Sequence, residues 1–103
     1  MMKPELIADL YLYPTEEGGP KVPMADGIGC PSYSRKGNRE NGWTCFPKVG
    51  DVPLAPGQRR RVMLSFFSAE AVEEMRRTGT IYLWNSRYIG EATIVFDGAT
   101  LTR

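Results

Sequence analysis

Prolines and glycines interrupt this chain at short intervals and limit what it can fold into. Eight prolines and eleven glycines are spread over 103 residues. Both residue types are unfavourable inside helices and useful where strands reverse direction. The spacing therefore favours an all-β fold over a helical bundle. A chain of this length buries one hydrophobic core, so we predict a single domain over residues 1–103.

Five segments between these interruptions have strand character. The clearest runs from Arg61 to Phe67, where Val62, Leu64 and Phe66 alternate with residues predicted to face outwards. A period of two with one aliphatic face is typical of a strand that lines a core. The other predicted strands are Leu6 to Tyr13, Trp43 to Phe46, Thr80 to Trp84 and Tyr88 to Phe96.

Polar turns separate the predicted strands. The first, Thr15 to Pro20, contains paired glycines that permit positive φ, and Pro23 and Gly27 prolong it. Residues 34–42 are expected to form an exposed loop. Further turns are predicted at Asn41-Gly42, Pro56-Gly57 and Asn85 to Arg87.

The segment from Ala69 to Arg77 is the one predicted helix. Ser68 is a typical N-cap, acidic residues come early, basic residues come late, and Gly79 follows the end. The expected side-chain arrangement is burial of Val72 and Met75 against the barrel and an ion pair between Glu73 and Arg77.

Two blocks of the sequence resemble the third, C-terminal domain of the translation elongation factor Tu family. The first is Ala8 to Tyr13, followed by Glu16-Glu17-Gly18-Gly19 and Pro23. The second runs from Pro56-Gly57 through the strand at Arg61 to the ending Arg87 to Val95, which includes Ile89-Gly90-Glu91-Ala92. The blocks occur in the family's order. The resemblance implies a small six-stranded antiparallel β-barrel, here with one short helix.

The resemblance also implies a binding role, although the chain departs from the family in several places. No Gly-x-x-x-x-Gly-Lys-Ser/Thr loop is present, so neither nucleotide binding nor GTP hydrolysis is expected. In the family this barrel packs against another domain and contacts the T stem of aminoacyl-tRNA. Where the family has basic and histidine residues after the Gly-Gly turn, Lys21 alone is basic here, and the tRNA-facing hairpin is replaced by Asn85, Ser86 and Arg87.

The composition excludes most catalytic chemistry. The chain has no histidine, which removes the near-neutral base of serine and cysteine nucleophile mechanisms. We interpret Glu16, Glu17 and the helical glutamates as surface charge, because acid–base catalysis needs environments that separate carboxyl pKa values. Zinc needs about four ligands, which two cysteines do not supply. No catalytic residue, cofactor or metal site is therefore predicted.

The two cysteines, Cys30 and Cys45, leave two alternatives open. A disulfide is geometrically feasible if the intervening loop folds back as a hairpin. Reduced thiols are favoured, because the first residues lack the uninterrupted apolar run of a signal peptide and no membrane span is evident, which predicts a cytoplasmic protein.

A non-catalytic binding module is the predicted function. The leading partner is a protein, with homo-oligomerisation also considered, and the alternative is RNA, although a net charge of +1 gives no strong overall attraction to phosphate. A small hydrolase or transferase is the least favoured hypothesis. Trp43, Tyr82 and Trp84 are considered as a stacking platform, with core or interface packing preferred. The candidate binding residues are Lys21, Arg35, Lys36, Arg39, Arg59, Arg60, Arg61, Trp84 and Arg87.

Overall fold

A computed structural model describes residues 4–37 and 42–95, which form a closed antiparallel β-barrel with one helix. Six strands close the barrel in the order β1-β4-β3-β2-β5-β6, which confirms the predicted fold class. The elements are β1 (Glu5–Leu12), a 3₁₀ turn (Thr15–Glu17), β2 (Cys30–Tyr33), β3 (Trp43–Lys48), β4 (Arg59–Phe66), α1 (Ala69–Thr78), β5 (Thr80–Trp84) and β6 (Tyr88–Ile94).

Alternation along each strand divides the barrel into an apolar interior and a mixed exterior. In β1, Leu10 and Leu12 are fully buried, whereas Tyr11 between them is half-buried on the outer face. Val62, Leu64 and Phe66 of β4 are buried as predicted. This period of two follows from the pleat, which sends successive side chains to opposite faces of the sheet.

The sixth strand, β2, lies where the sequence predicts none. Its residues Cys-Pro-Ser-Tyr include a proline and a buried serine, so the usual alternation of aliphatic and polar residues is absent. Ser32 satisfies its buried hydroxyl by donating to the carbonyl of Trp43. Strand β2 has three partner pairs with β3 and two with β5, Ser32 with Leu83 and Tyr33 with Tyr82. The β2–β5 ladder is therefore short.

Several boundaries differ from the predicted ones. Strand β4 begins at Arg59 and β3 continues to Lys48, so both strands are longer than predicted. Ser65, expected on the outer face, is 1% exposed, and its hydroxyl is satisfied by donating to the Glu5 carboxylate at 3.1 Å. The predicted end of the last strand at Phe96 and the turn residue Asn41 lie outside the described residues.

Helix α1 packs against β4 and β5 with the caps that the sequence predicts. The Ser68 hydroxyl accepts from the Ala71 amide at 3.2 Å, and Gly79 ends the helix with a φ of 82°. Val72 and Met75 are buried, as expected. Within the described ranges, no helix has the length and apolar character that crossing a bilayer requires.

The predicted ion pair between Glu73 and Arg77 is wrong. Arg77 instead contacts Glu74, with 2.9 Å between Nη1 and Oε1. The other oxygen of Glu74 accepts from the hydroxyl of Ser34, which directly follows β2, at 2.9 Å, and this hydrogen bond holds the carboxylate in place. Arg77 therefore pairs with the carboxylate that is already held in place.

Candidate functional site

The three consecutive arginines of β4 have three different environments. The guanidinium carbon of Arg59 lies 4.8 Å from the ring centroid of Tyr11. Arg60 turns towards the loop after β3, where its Nη1 donates to the carbonyl of Val49 at 2.9 Å and to that of Val52. A side chain with two backbone acceptors in its own fold holds a loop in place. We therefore assign Arg60 a structural role, which is to hold the loop after β3.

Arg61 forms an exposed ion pair with β1. Its Nε donates to Oδ1 of Asp9 at 2.9 Å, across a register in which the two residues are direct partners. The hydrogen bond from Arg61 lowers the pKa of the Asp9 carboxyl, and the positive charges of Arg61 and Arg59 act in the same direction. Of the three candidate arginines, this leaves Arg59 beside Tyr11 and an Arg61 whose charge is offset by that of Asp9.

All five tyrosines of the protein are half-buried on the outside of the barrel. Three of them lie in one transverse row with Arg59 and Glu91, because their registers connect five adjacent strands. The row consists of Arg59 on β4, Tyr11 on β1, Glu91 on β6, Tyr82 on β5 and Tyr33 on β2. Tyr13 and Tyr88 lie beside this row, with the Tyr11 and Tyr13 ring centroids 5.8 Å apart. We call this surface the tyrosine face.

Lys36, from the loop after β2, lies over the centre of the tyrosine face. Its Nζ is 5.2 Å from the ring centroid of Tyr13 and 5.7 Å from those of Tyr82 and Tyr88. Distances below about 6 Å are those of favourable cation–π contacts. The next residue, Gly37, donates its amide to the Tyr88 hydroxyl at 2.7 Å. The loop is thus held on the face by two independent contacts.

A carboxylate supports the same cluster of rings. The Tyr13 hydroxyl donates to Oε1 of Glu91 at 2.8 Å. Burial raises the pKa of Tyr13, and the hydrogen bond to Glu91 raises it further, so the hydroxyl stays protonated at neutral pH. On the other side, Trp84 packs edge-on against Tyr88 with centroids 4.9 Å apart.

A second feature is an apolar groove between the loop that precedes β2 and the β5–β6 hairpin. This loop groove has a volume of about 390 Å³. It lies where the short β2–β5 ladder ends and where a bulge shifts the β5–β6 register between Leu83 and Trp84. Its apolar lining includes Val22, Met24, Ile28, Cys30, Trp84 and Ile89.

Backbone hydrogen bonds fix the loop that forms one wall of the groove. Met24 and Leu54 exchange both amide hydrogen bonds, at 2.8 and 2.9 Å, and the Gly27 amide donates to the Pro47 carbonyl at 2.8 Å. Val22 and Ile28 nevertheless expose 67% and 58% of their surface. Exposed aliphatic side chains on an anchored loop present a preformed apolar surface.

A polar recess of about 260 Å³ continues the loop groove. It contains Lys21 and Arg87, both exposed, together with Thr15 and Ser86. The Glu16-Glu17-Gly18-Gly19 turn and the Asn85 to Arg87 hairpin thus meet at one place. Gly18, at a φ of 98°, permits the sharp turn that brings this loop beside Arg87.

Among the described residues, Arg35 and Trp43 line neither the loop groove nor the recess. Arg35 is exposed beside Lys36, and Arg39 lies outside the described residues. Trp43 is partly buried against the core, which agrees with core packing of this side chain. In the described part of the chain, no three His, Cys, Asp or Glu side chains are grouped to hold a metal ion.

The two cysteines are direct partners across the β2–β3 hairpin. Both are buried free thiols. Burial raises the pKa of Cys30, and it raises the pKa of Cys45 to about 12. Thiols held protonated in this way are weak nucleophiles, because the thiolate is the reactive form.

Comparisons with known proteins do not assign a family to this sequence. No protein-family model matches the sequence, and no curated protein matches it. The resemblance to the elongation factor Tu barrel therefore remains a sequence-based hypothesis.

The sequence pointed to Lys21, Lys36, Trp84 and Arg87, but it did not point to the tyrosine face. Tyr11 and Tyr13 occupy outward positions of a strand whose inward positions are Leu10 and Leu12. That alternation was a usable signal. The alignment of Tyr11 with residues of β5 and β6 could not be predicted from the sequence, because register between distant strands is a property of the fold.

Proposed function

We propose that this protein is a non-catalytic binding module that holds an extended segment of a partner protein in the loop groove. The single observation that carries the proposal is an anchored apolar groove that continues into a recess with two cations. Such a combination suits a segment that places apolar side chains on Val22, Ile28 and Trp84 and a carboxylate near Lys21 and Arg87. Fully covering an aliphatic side chain contributes about 1.5 to 3 kcal/mol, so a few such contacts support specific binding.

The closed barrel explains why recognition would depend on side chains. In the described chain every strand pairs with two neighbours, so a partner finds no free strand edge to extend. Binding energy must then come from pockets and loops. The loop groove is where a short ladder and a bulge interrupt the regular barrel wall.

The proposal includes descent from the elongation factor Tu barrel and a cytoplasmic setting. Of the two loops that meet at the recess, the Glu16-Glu17-Gly18-Gly19 turn belongs to the first resembling block, and Arg87 begins the ending of the second.

A peptide-display selection tests the groove directly. The wild-type protein is used for selection, and the enriched peptides are measured by fluorescence anisotropy. We expect sequences that combine apolar residues with Asp, Glu or a free carboxyl terminus. Val22→Asp should weaken their binding at least tenfold, because it places a charge on the apolar wall.

Val52→Asp is the matched control. Val52 is 66% exposed, close to the 67% of Val22, but does not line the groove. This variant should bind as the wild type does. Equal loss in both variants, or no enrichment of any peptide class, would refute the proposal. Arg87→Glu should reverse the preference for acidic peptides, and retention of that preference would exclude the recess as its source.

RNA binding is the second candidate, and the tyrosine face favours it. Half-buried rings beside Arg59 and Lys36 offer stacking surfaces next to positive charge. Proteins bind single-stranded RNA through this combination, because bases stack on the rings and phosphates are attracted to the positive charge. An electrophoretic shift with tRNA or single-stranded RNA should appear at low salt and weaken steeply as salt rises. Loss of that shift in Tyr82→Leu, with peptide binding intact, would assign RNA to the face. The absence of a shift at low salt would remove this candidate.

A further inference from the structure

Three aromatic rings of the tyrosine face form a cage around a cation. Tyr13, Tyr82 and Tyr88 present their rings to the Lys36 Nζ at 5.2 to 5.7 Å, and Glu91 lies behind Tyr13. Rings that surround an ammonium group in this way are the usual means of recognising alkylated ammonium ions. The loop groove borders this arrangement through Trp84, which packs against Tyr88, but the ligand inferred for the rings is a different one, so the inference goes beyond the proposed function.

The cage is built by rigid elements, whereas its occupant comes from a loop. Tyr82 and Tyr88 belong to adjacent strands, with ring centroids 6.1 Å apart at 72°, and Trp84 packs edge-on against Tyr88. Tyr13 directly follows β1 and is held by its hydrogen bond to Glu91. Lys36 reaches the rings from an exposed turn. The rings therefore keep their positions if the lysine leaves.

The rings, rather than an ion pair, hold Lys36. Among residues 4–37 and 42–95, no carboxylate oxygen lies within 4 Å of its Nζ. The Gly37 amide donates a hydrogen bond to the Tyr88 hydroxyl and so holds the loop on the rings. An incoming ligand would have to break this hydrogen bond. An external cation therefore competes with one side chain and one hydrogen bond, both at the surface.

We infer that the cage is a binding site for a methylated ammonium group, with Lys36 as its built-in competitor. A quaternary ammonium presents methyl groups to all three rings, and it is less strongly hydrated than the ammonium of Lys36. Glu91 supplies the negative charge behind the rings. Two sources share this chemistry, a free quaternary amine such as choline and a trimethylated lysine of another protein.

Occupancy by Lys36 is tested first, in the wild-type protein. Reductive dimethylation with ¹³C-formaldehyde labels the lysines, and NMR then resolves their methyl signals. We expect the Lys36 signal to lie upfield of those of Lys21 and Lys48, because ring currents shield groups above aromatic faces. The Lys36→Ala variant assigns the signal. Coincidence of the Lys36 signal with the others would overturn the inference.

Ligand binding is tested with choline and with its uncharged isostere 3,3-dimethyl-1-butanol, followed by the NMR signals of the tyrosine rings. If each of the three rings contributes about a twofold to fivefold preference, Lys36→Ala should bind choline about tenfold to a hundredfold more tightly than the wild type. Arg35→Ala, an adjacent exposed residue with the same charge change, should match the wild type. The neutral isostere should bind several-fold more weakly than choline.

Second-site variants test whether the rings form the site. Lys36→Ala with Tyr82→Leu should lose choline binding, whereas Lys36→Ala with Tyr82→Phe should keep it because the ring face remains. Thermal unfolding of each variant separates lost binding from lost structure. Equal affinities of wild type and Lys36→Ala, equal affinities for choline and the isostere, or full binding after Tyr82→Leu would each overturn the assignment.

The same measurement with a trimethyl-lysine peptide identifies the source of the group. Tighter binding of the peptide than of choline supports the cage with a protein ligand, and equal binding supports it with a free amine. Release of the Lys36 loop by single-stranded RNA but not by either ammonium would refute an ammonium site. A failure of the peptide selection on the loop groove would leave these results unaffected, because no groove variant enters them.

Discussion

Replacing Arg60 with methionine tests whether this arginine is a structural residue or part of a basic binding patch. Methionine keeps an unbranched apolar stem but removes the guanidinium donors, so the carbonyls of Val49 and Val52 lose their partner. Hydrogen bonds from charged donors are worth about 1.5 to 3 kcal/mol in general. The bond to Val49 is partly buried and the bond to Val52 is exposed, which places the total near the lower end, at about 2 kcal/mol.

The assay is urea and thermal unfolding followed by circular dichroism. For a domain of this size, about 2 kcal/mol corresponds to a decrease in Tm of roughly 10 °C. Arg59→Met is the matched control, since Arg59 is an exposed neighbour on the same strand whose contact with Tyr11 is worth about 0.5 to 1 kcal/mol. Equal destabilisation by the two variants, or a Tm unchanged in Arg60→Met, would refute the structural role.

Three further predictions concern the backbone, the thiols and alkaline pH. Gly90→Ala should lower the free energy of unfolding in urea by about 2 kcal/mol, because the added Cβ would lie 2.7 Å from the Tyr11 carbonyl oxygen. An unchanged free energy of unfolding would contradict the close strand packing. Alkylation after unfolding without reductant should label both Cys30 and Cys45, whereas the native protein should react slowly near neutral pH because burial raises both pKa values; a mass lacking both adducts would show a bridge. The raised pKa of Tyr13 implies a contribution to stability that is fully present below pH 10 and lost as the pH rises further. Between roughly pH 9 and roughly pH 11, the unfolding free energy of Tyr13→Phe should therefore decrease less than that of the wild type. Identical decreases in the two proteins would exclude this linkage.

The fold was largely predictable because its signals are local. Val62, Leu64 and Phe66 alternate with outward residues, and Ser68 and Gly79 cap the helix through their own backbone geometry. Strand β2 could not be located in this way. A proline and a buried serine replace the aliphatic alternation there, and the strand is specified by its neighbours on both sides.

The candidate sites were predictable only as residue types. Lys36 and Arg60 look alike in sequence, as basic residues near turns, yet one lies over three rings and the other holds two carbonyls. These differences depend on which strands become neighbours, which is decided by barrel closure. The cage likewise needs Tyr13 beside Tyr82 and Tyr88, about seventy residues later in the chain.

The short β2–β5 ladder has a consequence for the motions of the barrel. With two partner pairs, this seam holds fewer hydrogen bonds than the β1–β4 ladder, which has seven pairs. Local opening begins where few contacts must break, so amide exchange should be fastest along this seam among the barrel ladders. The loop groove lies at one end of the seam and the Lys36 cage beside the other. A ligand at either position would therefore act as a clasp, and its occupancy would be readable as slowed exchange between β2 and β5.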